Sequence, residues 1–237
     1  MDSPSVLIFT ITYEGKEYCR KDFVANALQF TYPNFKHIII DNSTSGNYYY
    51  KLSKELAGTN IEVFRTERGN NSREALARAQ NFARRYAKEH KFDYLLSLEC
   101  DIFPPLDCVE RLIAHNVPVV TGLYLIGTAD MKVNVPCITL PVYHASINGW
   151  GTRLLKPEEY SEYSNKGLKQ VQAGGFGICL IKNEVWTKTI FYYDPRFESH
   201  SDVYFFNECK DSKIDVFVDT DMFCEHRRSN WLDVKDR

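Results

Sequence analysis

Residues 94–101 are Tyr94-Leu95-Leu96-Ser97-Leu98-Glu99-Cys100-Asp101, a short apolar run that ends directly in an acidic triplet. A run of this kind is typical of a strand that a parallel sheet buries on both faces. In an open sheet of parallel strands, ligands bind beyond the carboxyl ends of the strands. The stretch therefore predicts an α/β fold, and it places Glu99 and Asp101 where a ligand would bind.

The segment before this run alternates short apolar stretches with longer stretches of helical periodicity, which is typical of βαβ units. Strands are predicted at Val6–Ile11, His37–Ile40, Ile61–Arg65 and Tyr94–Leu98. Helices are predicted over about residues 17–30, 47–57 and 71–88. Asn71, with Glu74 three residues later, favours a capping box at the start of the third helix.

The alternation of strands and helices breaks down after Pro104-Pro105. Residues 127–167 predict long loops or short antiparallel strands, because turn formers and aromatics occur there without a clear period. The other predicted elements are a helix at about 106–115, strands at Val117–Thr121, Ile178–Ile181 and Asp215–Val218, and a helix near 183–187. We expect a single domain over residues 1–237, with a nucleotide-type half at about 1–103 and a more irregular half at about 104–237.

The charge balance excludes one class of partner-binding protein. The chain has 237 residues, with 29 Lys and Arg against 31 Asp and Glu and a formal net charge of −2. This balance excludes a strongly basic nucleic-acid coat, so any polyanion would have to be bound by a local patch of arginines. The candidates are one patch of Arg65, Arg68 and Arg73 or another of Arg84 and Arg85.

The cysteines and the apolar segments bear on the compartment. The chain has 7 cysteines without Cys-x-x-Cys spacing, which argues against a disulfide framework and against a structural zinc site. The apolar segment Val6–Ile11 is too short for a signal peptide, and no apolar stretch is long enough to span a bilayer. We therefore expect a soluble protein of the cytoplasm, which is a reducing compartment.

Polar residues follow each predicted strand of the first half. They are Thr12-Tyr13-Glu14, Asp41-Asn42-Ser43, then Arg68, Asn70 and Arg73, and last Glu99 and Asp101. An aromatic ring beside hydrogen-bonding groups suits a base and ribose, and arginine suits phosphate. No Gly-x-Gly-x-x-Gly follows the first strand and no P-loop motif occurs, which disfavours a dinucleotide cofactor and P-loop ATP binding.

The acidic triplet is the candidate metal site. In an extended segment, Glu99 and Asp101 point the same way because they are two residues apart. Two hard oxygen ligands suit Mg²⁺ or Mn²⁺ beside a pyrophosphate. The alternative is an ordinary acidic turn before Pro104.

These residues, in this order, resemble a glycosyltransferase of the GT-A fold and of the family-two type. The resemblance begins with Thr12-Tyr13, Asp41-Asn42-Ser43, Glu99-Cys100-Asp101 and Gly174-Gly175-Phe176-Gly177. Farther on, Ser201-Asp202-Val203-Tyr204-Phe205 is similar to the Glu-Asp-x-x-Phe element of that family, and Cys224-Glu225-His226 is similar to its late metal-binding histidine. The resemblance covers the chain from about Val6 to His226.

The resemblance implies a single GT-A domain with a Rossmann-like, mostly parallel sheet flanked by helices and a smaller, irregular or antiparallel C-terminal half. It implies that about 1–103 binds a nucleotide-sugar, a UDP-sugar above all, and that about 104–237 binds a hydroxyl acceptor. The implied donor-binding residues are Thr12, Tyr13, Glu14, Asp41, Asn42, Arg73, Glu99, Gly174 and Gly175. A Mn²⁺ or Mg²⁺ ion would be held by Glu99, Asp101 and His226, and Asp202 would be the general base of an inverting transfer.

Departures from the family pattern leave the base open. Ser201 stands where an acidic residue is expected, so Glu198 or His200 is an alternative to Asp202. Asp202 has the further alternative of a first-turn acid of a helix. Glu99 stands in place of the usual aspartate, and Glu14 in place of a common asparagine.

The acceptor and two other functions also stay open. The acceptor is a glycan or, as in phage-type enzymes, a hydroxymethylated DNA base that would be flipped out of the duplex. Arginines that could help there are Arg65, Arg68, Arg84, Arg227 and Arg228, and Trp150 is a candidate acceptor contact. The alternatives in function are a nucleotidyltransferase and a sugar- or nucleic-acid-binding module without catalysis.

Overall fold

The computed structural model describes residues 3–127, 134–144, 146 and 149–227. In chain order, the strands are β1 (Val6–Thr12), β2 (Phe35–Asp41), β3 (Ile61–Arg65), β4 (Tyr94–Leu98), β5 (Ile102–Phe103), β6 (Val119–Leu123), β7 (Leu125–Gly127), β8 (Asn134–Pro136), β9 (Thr139–His144), β10 (Gly149–Leu154), β11 (Leu168–Val171), β12 (Ile178–Lys182), β13 (Val216–Phe223) and β14 (Glu225–His226). The α-helices are α1 (Glu17–Ala27), α2 (Asn47–Glu55), α3 (Ser72–Glu89), α4 (Cys108–Ala114), α5 (Asn183–Trp186) and α6 (Ser201–Asp211).

An eight-stranded sheet lies at the centre, in the order β11-β13-β6-β12-β4-β1-β2-β3. The pairs β4-β1, β1-β2, β2-β3 and β13-β6 are parallel, whereas β12 runs antiparallel to both of its neighbours and β11 runs antiparallel to β13. Because β12 is reversed, the chain that enters it lies at the same edge as the chain that leaves β4. This mainly parallel sheet with flanking helices confirms the predicted α/β architecture.

Helices cover both faces of the sheet, which explains the unbroken apolar runs of its central strands. Along β1 successive side chains point to opposite faces. Ile8 packs in a cluster with Phe23 of α1, and Phe9 packs in the other cluster with Ala83 of α3 and Phe205 of α6. Burial on both faces removes the need for polar positions within the strand.

The start of α3 has the predicted cap in a modified form. Asn71 is the N-cap residue, and its Oδ1 accepts a hydrogen bond from the amide of Glu74 at 3.0 Å. The carboxylate of Glu74 accepts from the amide of Asn70 at 2.8 Å, one residue earlier than in a standard capping box. These two hydrogen bonds hold the start of α3. That start lies at the carboxyl edge of the sheet because α3 follows β3.

The structure confirms most predicted elements and shifts some of their ends. β3 and β4 have the predicted bounds. β6 begins at Val119 rather than Val117, because Pro118 has no amide hydrogen for the ladder. β13 continues to Phe223 through Asp219, where the apolar pattern that predicted it stops.

Other elements carried no sequence signal. β5 and β14 are two residues long, too short for a period, and among the strands that the structure describes each pairs with the other alone. α6 was not predicted as a helix, although a first-turn acid at Asp202 was considered. From Leu125 onward, the described residues up to 167 include the antiparallel pairs β7-β8 and β9-β10, in line with the prediction of long loops or short antiparallel strands over 127–167.

Some sequence predictions fall outside what the structure describes. Arg228 is not among the described residues, and for Trp150 only the backbone, in β10, is described. None of the helices in the described ranges has the length and apolar character needed to cross a membrane.

Candidate functional site

The carboxyl ends of β1 and β2 lie side by side and bring two predicted groups of residues together. Thr12 pairs with Asp41 across the parallel strands. The amide of Asn42 donates to the carbonyl of Thr12 at 2.9 Å, and the amide of Glu14 donates to Oγ of Ser43 at 3.0 Å. The two loops therefore form one wall of a site at the edge of the sheet.

Asp41 presents an acceptor within this wall. Its side chain is fully buried, and its Oδ1 accepts hydrogen bonds from the amide of Ser43 at 3.0 Å and from Oγ of Ser43 at 2.6 Å. Its Oδ2 is buried and has no hydrogen-bond partner among the residues that the structure describes. Burial raises the pKa of Asp41 above its ordinary value. A buried oxygen of this kind needs a donor, and the N–H group of a bound base would supply one.

Tyr13, Arg68 and Arg73 are the predicted contacts for a base and a phosphate. The guanidinium of Arg68 lies over the ring of Tyr13, 4.9 Å from its centroid, and Nη1 of Arg68 donates to Oδ1 of Asn42 at 3.4 Å. Arg73 lies in the first turn of α3, and its Nε is buried without a hydrogen-bond partner in the described part of the chain. The ring of Tyr13, with Arg68 stacked on it, suits contact with a base. The unsatisfied Nε of Arg73 suits a phosphate.

The three predicted metal ligands converge. Glu99, Asp101 and His226 each offer a ligand atom, and these atoms lie within 4.8 Å of one another. His226 reaches the triplet because β14 pairs with β5, which places it opposite Ile102, and the amide of Arg227 donates to the carbonyl of Asp101 at 2.9 Å. The pairing therefore brings together residues that are far apart in sequence.

The donor set fits a divalent cation such as Mn²⁺. Asp101 is fully buried, and its Oδ1 has no hydrogen-bond partner within the described ranges. Nδ1 of His226 lies 2.7 Å from the carbonyl of Leu125, which assigns the hydrogen to Nδ1 and directs Nε2 toward Oδ2 of Asp101 at 3.6 Å. Two carboxylates and one imidazole are ligands that suit Mn²⁺ and Mg²⁺ better than a thiolate set would.

Lys16 and Tyr18 also contact this cluster, although neither belongs to a predicted site motif. The Lys16 ammonium donates to Oδ2 of Asp101, and the Tyr18 hydroxyl donates to the same oxygen at 3.2 Å. Lys16 ends the short 3-10 turn Glu14–Lys16 that follows β1, and no motif marks it. Only its proximity to the Thr12-Tyr13-Glu14 segment could have drawn attention to it.

The close charges shift the pKa values in the cluster. Desolvation of its carboxylate and repulsion from Asp101 raise the pKa of Glu99 to about 7. Burial opposes ionisation of Asp101, but His226 and Lys16 outweigh it and lower its pKa to about 2. For Lys16, burial disfavours the charged form, but Asp101 outweighs that effect and raises the pKa of the ammonium above its ordinary value.

Asp202 lies in the first turn of α6, so the helix-start interpretation describes its position. One carboxylate oxygen accepts from the amide of Val203 at 2.8 Å, and burial raises the pKa of Asp202 above its ordinary value. The negative charge of Asp202 also helps to raise the pKa of Glu99. Desolvation and repulsion from Asp101 are the larger causes of that rise. Asp202 therefore lies within electrostatic range of Glu99, whereas the alternative bases Glu198 and His200 are exposed.

Gly174 and Gly175 lie against the protein itself. A Cβ at Gly174 would come within 2.4 Å of Oγ1 of Thr121, and one at Gly175 within 1.9 Å of the Tyr124 hydroxyl. The next residues fix the triplet, because the amide of Glu99 donates to the carbonyl of Gly177 at 2.8 Å. Packing alone accounts for these glycines, and contact with a sugar stays a prediction.

We expect Gly175→Ala to destabilise the protein by about 2 kcal/mol, because the added methyl group overlaps the Tyr124 hydroxyl in a packed core. Tyr124→Phe in the same chain should recover part of the loss by removing that oxygen. Gly46→Ala is the matched control, since its Cβ would come no closer than 3.4 Å to Tyr50, and it should change stability by less than about 0.5 kcal/mol. Chemical denaturation measures all three, and equal stability of Gly175→Ala and wild type would contradict the packing role.

No protein-family model and no curated protein sequence matches the chain. Solved structures are nevertheless similar in fold. GalNAc-T7, solved with UDP, GalNAc and Mn²⁺, aligns with a TM-score of 0.67 and 14% identity over 96% of this chain and 44% of that one. S. aureus TarS 1–349, solved with UDP-GlcNAc, aligns with a TM-score of 0.57 and 13% identity over 98% of this chain and 61% of that one.

These comparisons define the fold of this protein. The chain has the GT-A fold of glycosyltransferases, as its resemblance to that fold predicted. It spans less than half the length of the GalNAc-T7 chain and less than two thirds of the TarS chain. Because the identities are low, the similarity shows the fold, and the function has to be inferred from this chain's own site.

Proposed function

We propose that this protein is a metal-dependent glycosyltransferase that moves a sugar from a nucleoside-diphosphate donor, a UDP-sugar, to a hydroxyl group with inversion. One observation carries the proposal: Glu99, Asp101 and His226 form a cluster that fits a divalent cation, at the same sheet edge as the wall around Asp41. The binding of UDP by the GalNAc-T7 structure and of UDP-GlcNAc by the TarS structure supports the choice of donor.

In the proposed complex, the first two strand ends bind the nucleoside. Oδ2 of Asp41 accepts a hydrogen bond from the base, and Tyr13, backed by Arg68, lies against the ring. Arg73 offers its unsatisfied Nε to the diphosphate. These contacts orient the donor so that the sugar faces the second half of the chain.

The chemistry is a direct displacement at the anomeric carbon. A divalent cation held by Glu99, Asp101 and His226 would neutralise negative charge on the leaving diphosphate. The carboxylate of Asp202 takes the proton from the acceptor hydroxyl as that oxygen attacks. Burial raises the pKa of Asp202, which makes its carboxylate a stronger base than an exposed aspartate.

The contacts of the arginines favour a glycan hydroxyl over a DNA base as acceptor. Arg65 donates to the carbonyls of Ser43 and Thr44, and Arg84 donates to those of Trp186 and Thr187. A guanidinium that satisfies the protein's own carbonyls is less available for phosphates of a duplex.

The test is donor cleavage by the purified protein against a panel of nucleotide-sugars, with Mn²⁺, Mg²⁺ or EDTA. We expect a UDP-sugar to be cleaved to UDP only when metal is present, and cleavage to increase when the correct glycan acceptor is added. Hydroxymethylated duplex DNA is included as an acceptor at low and high salt. Failure of every donor both to bind and to react would overturn the proposal, and salt-sensitive transfer to DNA would replace the glycan with DNA.

A further inference from the structure

Lys16 occupies an unusual position for a cation. Its ammonium forms an ion pair with Oδ2 of Asp101, and the two side chains are only 18% and 1% exposed. Asp101 is also the carboxylate that the metal-ligand cluster shares with Glu99 and His226. A positive charge therefore lies against one of the two carboxylate oxygens of a proposed metal ligand.

A divalent cation and an ammonium group cannot share this carboxylate without cost. Two like charges a few ångströms apart repel, and the repulsion is strong where the surroundings exclude water, as they do at Asp101. Without metal, Lys16 partly compensates the charges of Glu99 and Asp101. When a metal ion is bound, the Lys16 ammonium repels it.

We propose that Lys16 competes with the metal ion for Asp101 and must be displaced from that carboxylate when the cation binds. This inference rests on the proposed function and extends it: competition from Lys16 weakens metal binding when no donor is bound. Lys16 acts here on the metal ligand and is a positioning residue.

The place of Lys16 in the chain gives the displaced ammonium a new partner. Lys16 is the last residue of the 3-10 turn Glu14–Lys16. This turn directly follows Thr12 and Tyr13, which belong to the proposed nucleoside-binding wall around Asp41. A diphosphate bound beside that wall would offer the ammonium an anion in place of Asp101. Metal and nucleoside diphosphate should then strengthen each other's binding through Lys16, and thermodynamic linkage requires that this coupling be reciprocal.

The first experiment measures Mn²⁺ binding to the full chain, without nucleotide, by titration calorimetry or by the paramagnetic signal of free Mn²⁺. We expect Lys16→Met to bind Mn²⁺ more tightly than wild type by on the order of tenfold, because the competing charge is gone. Lys16→Arg keeps the charge and should bind as wild type does. Lys51→Met removes a cation of the same type that pairs with exposed Glu17, and it should leave Mn²⁺ affinity unchanged.

Thermal unfolding gives a second readout that does not depend on activity. Without metal, Lys16→Met should melt below wild type, because Asp101 loses a buried ion-pair partner. Saturating Mn²⁺ should raise the melting temperature of this variant more than that of wild type. If Lys16→Met does not fold, Lys16→Gln replaces it, because the amide keeps a hydrogen bond to Asp101 without the charge.

The second experiment repeats the Mn²⁺ titration with saturating UDP. We expect UDP to strengthen Mn²⁺ binding more in wild type than in Lys16→Met, since only wild type gains a new partner for the displaced ammonium. Equal or weaker Mn²⁺ binding by Lys16→Met without UDP would overturn the inference. An absence of Mn²⁺ binding in all variants would also overturn it. The transferase proposal is tested separately, because cleavage of a UDP-sugar by the wild type would still support it. If that cleavage persists in EDTA, only the metal requirement is withdrawn from the proposed function.

Discussion

Asp101→Asn is expected to lower metal-dependent donor cleavage by about 1000-fold. The amide keeps the size of the carboxylate but loses its negative charge, so the cluster with Glu99 and His226 can no longer hold a divalent cation tightly. Oδ1 of Asp101 is buried and has no hydrogen-bond partner in the described part of the chain, which is what a vacant ligand atom would show. Loss of this ligand removes the charge that would stabilise the leaving diphosphate.

Steady-state release of the nucleoside diphosphate, at several Mn²⁺ concentrations, measures the effect. Asp107→Asn is the matched control, because Asp107 is an exposed carboxylate just before α4 and should retain wild-type activity. Circular dichroism of Asp101→Asn checks its folding, since its partner Lys16 is then left beside a neutral amide. Activity within about tenfold of wild type in folded Asp101→Asn would show that Asp101 is not a metal ligand.

Much of the fold could be predicted because its strands obey a simple periodic rule. β4, at Tyr94–Leu98, is apolar at nearly every position since helices cover both faces of the sheet, and the residues after it must then lie at the carboxyl edge. The same rule places Thr12 beside Asp41, and the observed register does so. Local pattern determines these positions, so sequence is sufficient to find them.

Long-range pairing sets the rest of the site and leaves no local signal. His226 reaches Asp101 through a ladder of two-residue strands, and only the resemblance to a known family pointed to it. Lys16 reaches the same carboxylate from a single turn of 3-10 helix whose sequence is ordinary. The glycines Gly174 and Gly175 differ again, because contacts with Thr121 and Tyr124 already require them, and the sugar contact that the motif suggested stays a prediction.

Asp202→Asn is expected to lower sugar transfer by about 1000-fold while leaving the affinity for the donor and for Mn²⁺ within about threefold of wild type. Asp202 lies outside the proposed metal-ligand set, and in the proposal its carboxylate accepts the proton of the attacking hydroxyl. Asparagine can still accept the hydrogen bond from the amide of Val203 but cannot accept that proton. The effect should therefore be on kcat, with little change in donor binding.

The pH profile distinguishes a base from a residue that merely shapes the helix start. Burial raises the pKa of Asp202, and the base must be ionised to act, so wild-type transfer should rise with pH through a value above the ordinary aspartate pKa of about 3.9. Asp202→Asn should lose this rise. Glu208→Gln, on the same helix, is the matched control and should keep the wild-type profile.

The two alternative bases are tested in the same assay. Glu198→Gln and His200→Gln should each retain transfer within about tenfold of wild type, because both side chains are exposed, whereas Asp202 is close enough to Glu99 for its charge to contribute to the pKa there. A loss of about 1000-fold in either variant, with Asp202→Asn still active, would assign the base to that residue. A loss in Asp202→Asn alone assigns the proton transfer to Asp202, since a first-turn acid that only stabilised the start of α6 would change stability without abolishing the rise of activity with pH.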